Sequence, residues 1–220
     1  ALSRLQHDRE EFHRYFYKFQ SCVGFCVFPL GMMLLLYRAD ITFLALGDQW
    51  SEAAIMMGVW GLSTSLNIVF SNFCSEAFRS LGLPRVSFFS QCLYLAIMIP
   101  SLFFAAQNGF VCLVIVHALT RLVQIAINQI LVWRYAKISF AKEVSGLSTF
   151  LFATVLSSLT ALCQLHFLGG SLILDIIGFV VSMGVYIGVC RLSTAGKSVI
   201  KDVGSIILPG RRNNDGIISE

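Results

Sequence analysis

Charged residues are scarce in this chain: they make up only 13% of its 220 residues, about half of the share typical of soluble globular domains. The mean hydropathy is correspondingly high, at +0.76. This shortage of charge excludes an ordinary soluble domain. The apolar residues occur in runs of about 20 with few charges inside them, and runs of this length are typical of membrane spans.

Alternation of apolar and polar residues is also missing from these runs. Strands of a membrane barrel alternate with a period of two and are about 10 residues long. The runs here are about twice that length, and helices are the other structure that satisfies every backbone group within the bilayer. The sequence therefore predicts an all-α fold, a polytopic membrane helix bundle.

Motifs for metal, nucleotide or catalytic chemistry are absent. The seven cysteines form no CxxC pair and lie in or beside apolar runs, which is typical of small buried side chains. The string TAGKS in the tail lacks the first glycine of a phosphate-binding loop, because Arg191 stands five positions before Gly196. We expect no cofactor, no metal, no nucleic-acid partner and no enzymatic activity.

The apolar runs predict six transmembrane helices and polar segments at both ends. A mixed-charge segment, 1–18, is predicted to lie at the cytoplasmic interface, and a polar tail, 191–220, to lie in the cytoplasm. Because the chain begins with Ala1 and not with methionine, we expect it to be part of a longer protein. The predicted spans of the domain 19–190 are 19–37, 53–73, 86–105, 110–133, 145–167 and 171–190.

Lysine and arginine are distributed very unevenly between the two sides of these spans. Alternate polar segments, beginning with the first, hold fourteen of the sixteen basic residues, and the opposite set holds only Arg38. Basic residues concentrate in cytoplasmic loops of membrane proteins. This distribution supports six spans and predicts that both ends of the chain are cytoplasmic.

The remaining basic residue, Arg121, lies near the middle of the fourth predicted span. A central arginine costs roughly 2.5–3.5 kcal/mol on insertion scales, so a compensating interaction is expected. His117, Gln124 and Asn128 share its helix face at helical spacing. We interpret this polar stripe as a path for an anionic, hydroxyl-rich substrate, since guanidinium binds phosphate through paired donors.

The alternative is a structural arginine held by backbone carbonyls or by a carboxylate on another helix. Asp175, near the outer end of the sixth span, is the acidic residue inside a predicted span. Weaker polar faces occur on spans two and three, where small residues that let helices approach closely are the more ordinary interpretation. From span two, Asn67 joins the substrate-binding candidates Arg121, His117, Gln124 and Asn128.

Several segments resemble those of bacterial polysaccharide flippases. ALSRLQHDREEFHRYFYK followed by a span with FPLG resembles a region in which one of their helices ends in a "P-x-x-S-R-L-Q-x-D" phrase and the next helix carries a mid-span proline. LGDQWSEAA and EAFRSLGLPR resemble two of their connectors. The chain is similar to the O-antigen and exopolysaccharide (Wzx-like) translocases of the multidrug/oligosaccharidyl-lipid/polysaccharide exporter superfamily. The matching connector positions are Gly47, Trp50, Ala53, Gly82, Pro84 and Arg85.

This resemblance implies the C-terminal part of a two-lobed exporter of about twelve to fourteen helices in the bacterial cytoplasmic (inner) membrane. It implies translocation of polyprenyl-diphosphate-linked oligosaccharide repeat units for surface lipopolysaccharide or exopolysaccharide. The expected partners are this lipid-linked oligosaccharide, membrane lipids and other polysaccharide-assembly membrane proteins. Cavity residues vary within the family, so no motif position is transferred as a substrate ligand.

Three other functions remain open from the sequence. An ion-coupled small-molecule antiporter of the same superfamily usually needs a titratable carboxylate within its helices, and the predicted spans offer only Asp175. A polysaccharide polymerase or ligase is expected to carry a sizeable outer loop, which the short outer connectors do not provide. A scaffold without transport activity is the third alternative.

Overall fold

A computed structural model describes residues 9–168 and 170–207 of the chain. These residues form helices and short connections, with no strand among them. The predictions for residues 1–8 and for the tail beyond residue 207 lie outside the described part. The helices are α1 (Arg9–Leu36), α2 (Arg38–Leu46), α3 (Ala53–Asn67), α4 (Phe73–Ser80), α5 (Pro84–Ala106), α6 (Phe110–Ala136), α7 (Phe140–Phe167), α8 (Leu172–Leu192) and α9 (Thr194–Ile207).

Among the described residues, six helical stretches are long and apolar enough to cross a membrane, so the predicted all-α bundle with six spans is confirmed. The helices extend beyond the apolar runs that revealed them, because a charged residue ends a hydropathy run without ending a helix. The first span is continuous with ten residues of the mixed-charge segment. The six stretches are Glu10–Leu36, Ala53–Ser80, Pro84–Ala106, Phe110–Ala136, Phe140–Phe167 and Leu172–Leu192.

Helix α1 lies at the centre of the bundle, between α3 and α7. On one side α3 packs against α6, and α6 packs against α5; on the other side α7 packs against α8. Glycines bring α1 and α3 close together: a Cβ added at Gly61 would lie 2.8 Å from Cβ of Leu34. The small-residue packing that is typical of membrane helices therefore operates at this interface.

The second span is interrupted by one turn of π-helix, Ile68–Asn72, between α3 and α4. A π turn widens the helix and releases backbone carbonyls from their regular partners, and such turns are frequent at functional sites. Here the carbonyls of Val69 and Phe70 accept hydrogen bonds from Gln20 and Gln129 on neighbouring helices. The π segment thus lets polar side chains from α1 and α6 bind to the backbone of the second span.

Two shorter helices flank the spans. Part of the connector between the first and second predicted spans forms α2. Helix α9 packs against α8 and α1. Its Val199 is buried, and Oδ2 of its Asp202 forms an ion pair with Nζ of Lys18 at 2.9 Å. The part of the tail up to residue 207 therefore docks on the bundle.

Candidate functional site

The polar stripe of α6 faces α3 and α5 in the middle of the bundle. Arg121 lies eleven residues from Phe110 and fifteen from Ala136, which corresponds to roughly 16 and 22 Å along the helix axis. Its position is therefore near the middle of the span. The other faces of α6 carry exposed apolar residues such as Leu119 and Leu122. Because these faces suit lipid, the polar stripe is turned towards the neighbouring helices.

Gln124 is the centre of the stripe and is 4% exposed. Its Oε1 accepts hydrogen bonds from Nδ2 of Asn67 at 2.9 Å and from Nη1 of Arg121 at 3.3 Å, and its Nε2 donates to Oε1 of Gln91 at 3.3 Å. One amide thereby connects α3, α5 and α6. The structure brings the candidates Asn67, Gln124 and Arg121 into a single network.

Asn128 has a different environment, one turn closer to the predicted cytoplasmic end. It is 1% exposed; its Nδ2 donates to Oγ of Ser71 at 2.6 Å, and its Oδ1 accepts a hydrogen bond from Ser90. Donor and acceptor are both satisfied by neighbouring helices. These contacts fit a residue that holds the helices together, and the predicted substrate role of Asn128 stays a prediction.

The outer half of the stripe has unused hydrogen-bonding capacity. His117 lies against Trp60 of α3, with ring centroids 4.7 Å apart. Within the described part of the chain, three buried nitrogen atoms of this cluster have no hydrogen-bond partner: Nε1 of Trp60, Nδ1 of His117 and Nε of Arg121. Because a buried polar group without a partner is costly, this cluster is suited to a ligand that brings acceptors.

Arg121 is also without a counterion in the described part of the chain, where the ion pairs involve other basic residues. Its guanidinium carries a full positive charge near mid-span, where an anion is attracted more strongly than in water. One form of the structural alternative, an arginine paired with a carboxylate on another helix, is therefore absent from the described residues. An anionic ligand would supply the missing charge.

An apolar groove of about 560 Å³ lies beside this cluster, between α1 and α3. Trp60 belongs to both: its ring lines the groove and contacts His117. The site therefore joins an apolar surface to a polar, positively charged one. The groove is lined by Val27, Leu30, Gly31, Leu34, Leu46, Ala53, Met56, Met57, Trp60, Gly61, Thr64, Ser65 and Ile68.

Sequence reasoning missed part of this site. Gln91 binds Gln124, and Ser71 and Ser90 bind Asn128. The sequence pattern favours helix packing for the polar faces that contain Ser71 and Gln91, and it does not single out Ser90. The expectation that Asp175 is the acidic residue inside the spans is wrong, because α7 begins at Phe140, before the predicted start at 145, and contains Glu143 with no exposed surface. Hydropathy placed Glu143 in a connector because Lys142 is its neighbour.

Comparison with known protein families gives a match over part of the chain. Residues 1–55, a quarter of the chain, match a family model described as "Polysaccharide biosynthesis protein". This match supports the polysaccharide biosynthesis family. It covers α1, α2 and the start of α3 and ends before the stripe on α6. No curated protein and no solved structure matches the chain.

Proposed function

We propose that this chain is the C-terminal part of a two-lobed translocase in the bacterial cytoplasmic membrane. Its substrate is a polyprenyl-diphosphate-linked oligosaccharide, which moves from the cytoplasmic to the outer leaflet. The family match at residues 1–55 supports a role in polysaccharide synthesis. Six apolar helices support a multi-pass membrane protein, and the flippase-like connector phrases support translocation within that pathway.

One observation carries the proposal: Trp60, which lines an apolar groove, lies against His117, and His117 is one helical turn from Arg121. Each of these three side chains has a buried nitrogen atom without a hydrogen-bond partner among the described residues. A lipid-linked oligosaccharide has the same two parts, a long apolar chain and a polar head with a diphosphate. The guanidinium of Arg121 fits a diphosphate because its donors form paired, charge-assisted hydrogen bonds. Hence the two surfaces match the two parts of the substrate.

The network below Arg121 suggests how the head group crosses. Sugar hydroxyls leave water as they enter the span, and each needs a replacement hydrogen-bond partner. The amides of Asn67, Gln91 and Gln124 form mutual hydrogen bonds of 2.9–3.3 Å that can be exchanged for bonds to hydroxyls. The lipid chain stays in the groove or the bilayer meanwhile, so only the head group passes along the stripe.

In this account the chain transports its substrate and performs no catalytic step. Its partners are the lipid-linked oligosaccharide, membrane lipids and the other membrane proteins of polysaccharide assembly. Deletion of the gene tests the proposal. We expect lipid-linked repeat units to accumulate on the cytoplasmic side of the membrane and surface polysaccharide to disappear. Unchanged polysaccharide with altered drug resistance would contradict it and indicate a small-molecule antiporter.

A further inference from the structure

Glu143 is a fully buried carboxyl group that the proposed substrate path does not use. It lies in the first turn of α7, with 0% of its surface exposed. Its Oε2 accepts hydrogen bonds from Nε2 of Gln20 on α1 at 2.8 Å and from Nε2 of Gln129 on α6 at 2.9 Å. Three spans therefore meet at one oxygen atom of this side chain.

The same two amides attach the carboxyl group to the π segment of the second span. Nε2 of Gln20 also donates to the carbonyl of Val69 at 3.1 Å, and Nε2 of Gln129 donates to the carbonyl of Phe70 at 3.0 Å. A carboxamide nitrogen has two hydrogens, so both donors of each amide have acceptors. Neither amide has a further hydrogen for the second carboxyl oxygen of Glu143.

That second oxygen, Oε1 of Glu143, is buried and has no hydrogen-bond partner among the residues that the structure describes, and the same is true of Oε1 of Gln129. Two acceptors without a donor thus occur in two side chains that touch each other. The missing component is a hydrogen. A carboxyl group that carries a proton on Oε1 becomes a donor, and Gln129, already in contact, offers an acceptor that lacks one.

The charge balance points in the same direction. No described basic side chain forms an ion pair with Glu143. Among the described helices that pack against it, α1 places the titratable side chain of Tyr17 near Glu143, and α4 places that of Cys74 there. Neither side chain carries a positive charge at neutral pH. Helix α6 contributes the uncharged amide of Gln129. The amino end of α7 supplies roughly half a positive charge. An ionised buried carboxylate lacks adequate compensation here.

We propose that Glu143 is a proton-binding site of the bundle. The proton comes from water at the predicted cytoplasmic end, binds Oε1 of the carboxylate and leaves a neutral acid that holds α1, α6, α7 and the π segment together. Loss of the proton leaves a buried negative charge without a counterion among the described residues, so it favours separation of these helices and entry of water. A sodium ion fits less well, because it needs several oxygen ligands and two are unoccupied.

Infrared difference spectroscopy of the purified protein in bilayers tests this site, because a neutral carboxyl group has a carbonyl band that an ionised one lacks. We expect the wild-type protein to show this band at neutral pH and to lose it as the pH is raised. The band should be absent from Glu143→Gln and present in Glu52→Gln, which makes the same change at an exposed carboxyl. Where Glu143→Gln fails to fold, Glu143→Asp should shift the band and so assign it.

Two results would overturn the proposal. One is a carbonyl band that is the same in wild type, Glu143→Gln and Glu143→Asp at every pH. Such a band would come from another group, and Glu143 would be an ionised carboxylate. The other is loss of the band when NaCl replaces choline chloride at constant pH and ionic strength, which would show a sodium site. Since the measurement detects a proton and no lipid-linked substrate, its failure leaves the proposed translocation untouched, and failure of the gene-deletion test leaves this site untouched.

Discussion

Nη1 of Arg121 donates a 3.3 Å hydrogen bond to Oε1 of Gln124, one turn further along the same helix. The same oxygen accepts a hydrogen bond from Asn67 of the second span, so the guanidinium is oriented towards that span. Yet Nε of Arg121 is buried without a hydrogen-bond partner in the described ranges 9–168 and 170–207. An arginine with a purely structural role is expected to use its buried donors, whereas this one is positioned by its neighbours and keeps a donor available.

The close contact between α1 and α3 predicts that alanine substitutions at two glycines change the stability of the bundle differently. A Cβ at Gly61 would lie 2.8 Å from Cβ of Leu34, whereas a Cβ at Gly184 would meet nothing within 4 Å. We expect Gly61→Ala to destabilise the bundle by about 1–3 kcal/mol through overpacking. Gly184→Ala should leave stability unchanged or raise it by up to about 1 kcal/mol, because alanine favours helix.

Thermal unfolding of both variants in detergent checks this prediction. Equal unfolding temperatures for Gly61→Ala and Gly184→Ala would show that α1 and α3 are not in close contact.

The satisfied hydrogen bonds of Asn128 predict a structural effect on substitution. Asn128→Ala removes the contacts with Ser71 and Ser90 and leaves their buried hydroxyls without this partner. Interhelical hydrogen bonds in membranes contribute about 0.6–2 kcal/mol, so we expect a lower unfolding temperature and less protein in the membrane. Asn108→Ala, at an exposed turn, is the control and should behave as wild type.

Quantitative immunoblots of membranes and unfolding curves measure this effect. If Asn128→Ala were fully stable yet inactive in polysaccharide export, Asn128 would instead contact the substrate.

Trp60 predicts an optical signal for substrate binding, because its ring lines the groove and contacts His117. We expect a short-chain polyprenyl diphosphate to change the tryptophan emission of the solubilised protein. Trp60→Phe keeps an aromatic ring in place but should abolish most of the change. Trp133→Phe, which alters a tryptophan that is 62% exposed, should keep it.

A titration monitored by fluorescence provides the comparison. An undiminished signal in Trp60→Phe would place the lipid away from the groove.

The spans and the stripe could be predicted from the sequence because both depend on local patterns. A long apolar run is a property of consecutive residues, and the face shared by His117 and Arg121 follows from helical spacing alone. The contact between Asn67 and Gln124 depends on how two helices align. Spacing within one helix does not determine this alignment. The stripe was therefore predicted as a set of side chains and its hydrogen bonds were not.

The features missed from the sequence are those where local pattern and tertiary structure disagree. Glu143 stands beside Lys142 in a polar stretch, and its burial depends on Gln20 and Gln129, which come from two other helices. The π segment Ile68–Asn72, IVFSN, continues the helical run of the second span, and its composition alone does not indicate a widened turn. The hydrogen bonds of neighbouring helices reveal it.

The central claim is that Arg121 receives the diphosphate of a lipid-linked substrate. Its most direct test is the rate at which lipid-linked oligosaccharide reaches the outer leaflet in cells that carry Arg121→Ala, Arg121→Lys or Arg134→Ala. Arg134 is an exposed arginine of the same helix and serves as the matched control.

Hydrogen bonds to charged groups contribute about 1.5–3 kcal/mol, so we expect Arg121→Ala to slow translocation about ten- to a hundredfold at unchanged membrane abundance. Arg121→Lys should retain part of the rate, because it keeps the charge and loses the paired donors, and Arg134→Ala should match wild type. A wild-type rate for Arg121→Ala, or loss of the folded protein in its place, would contradict the account.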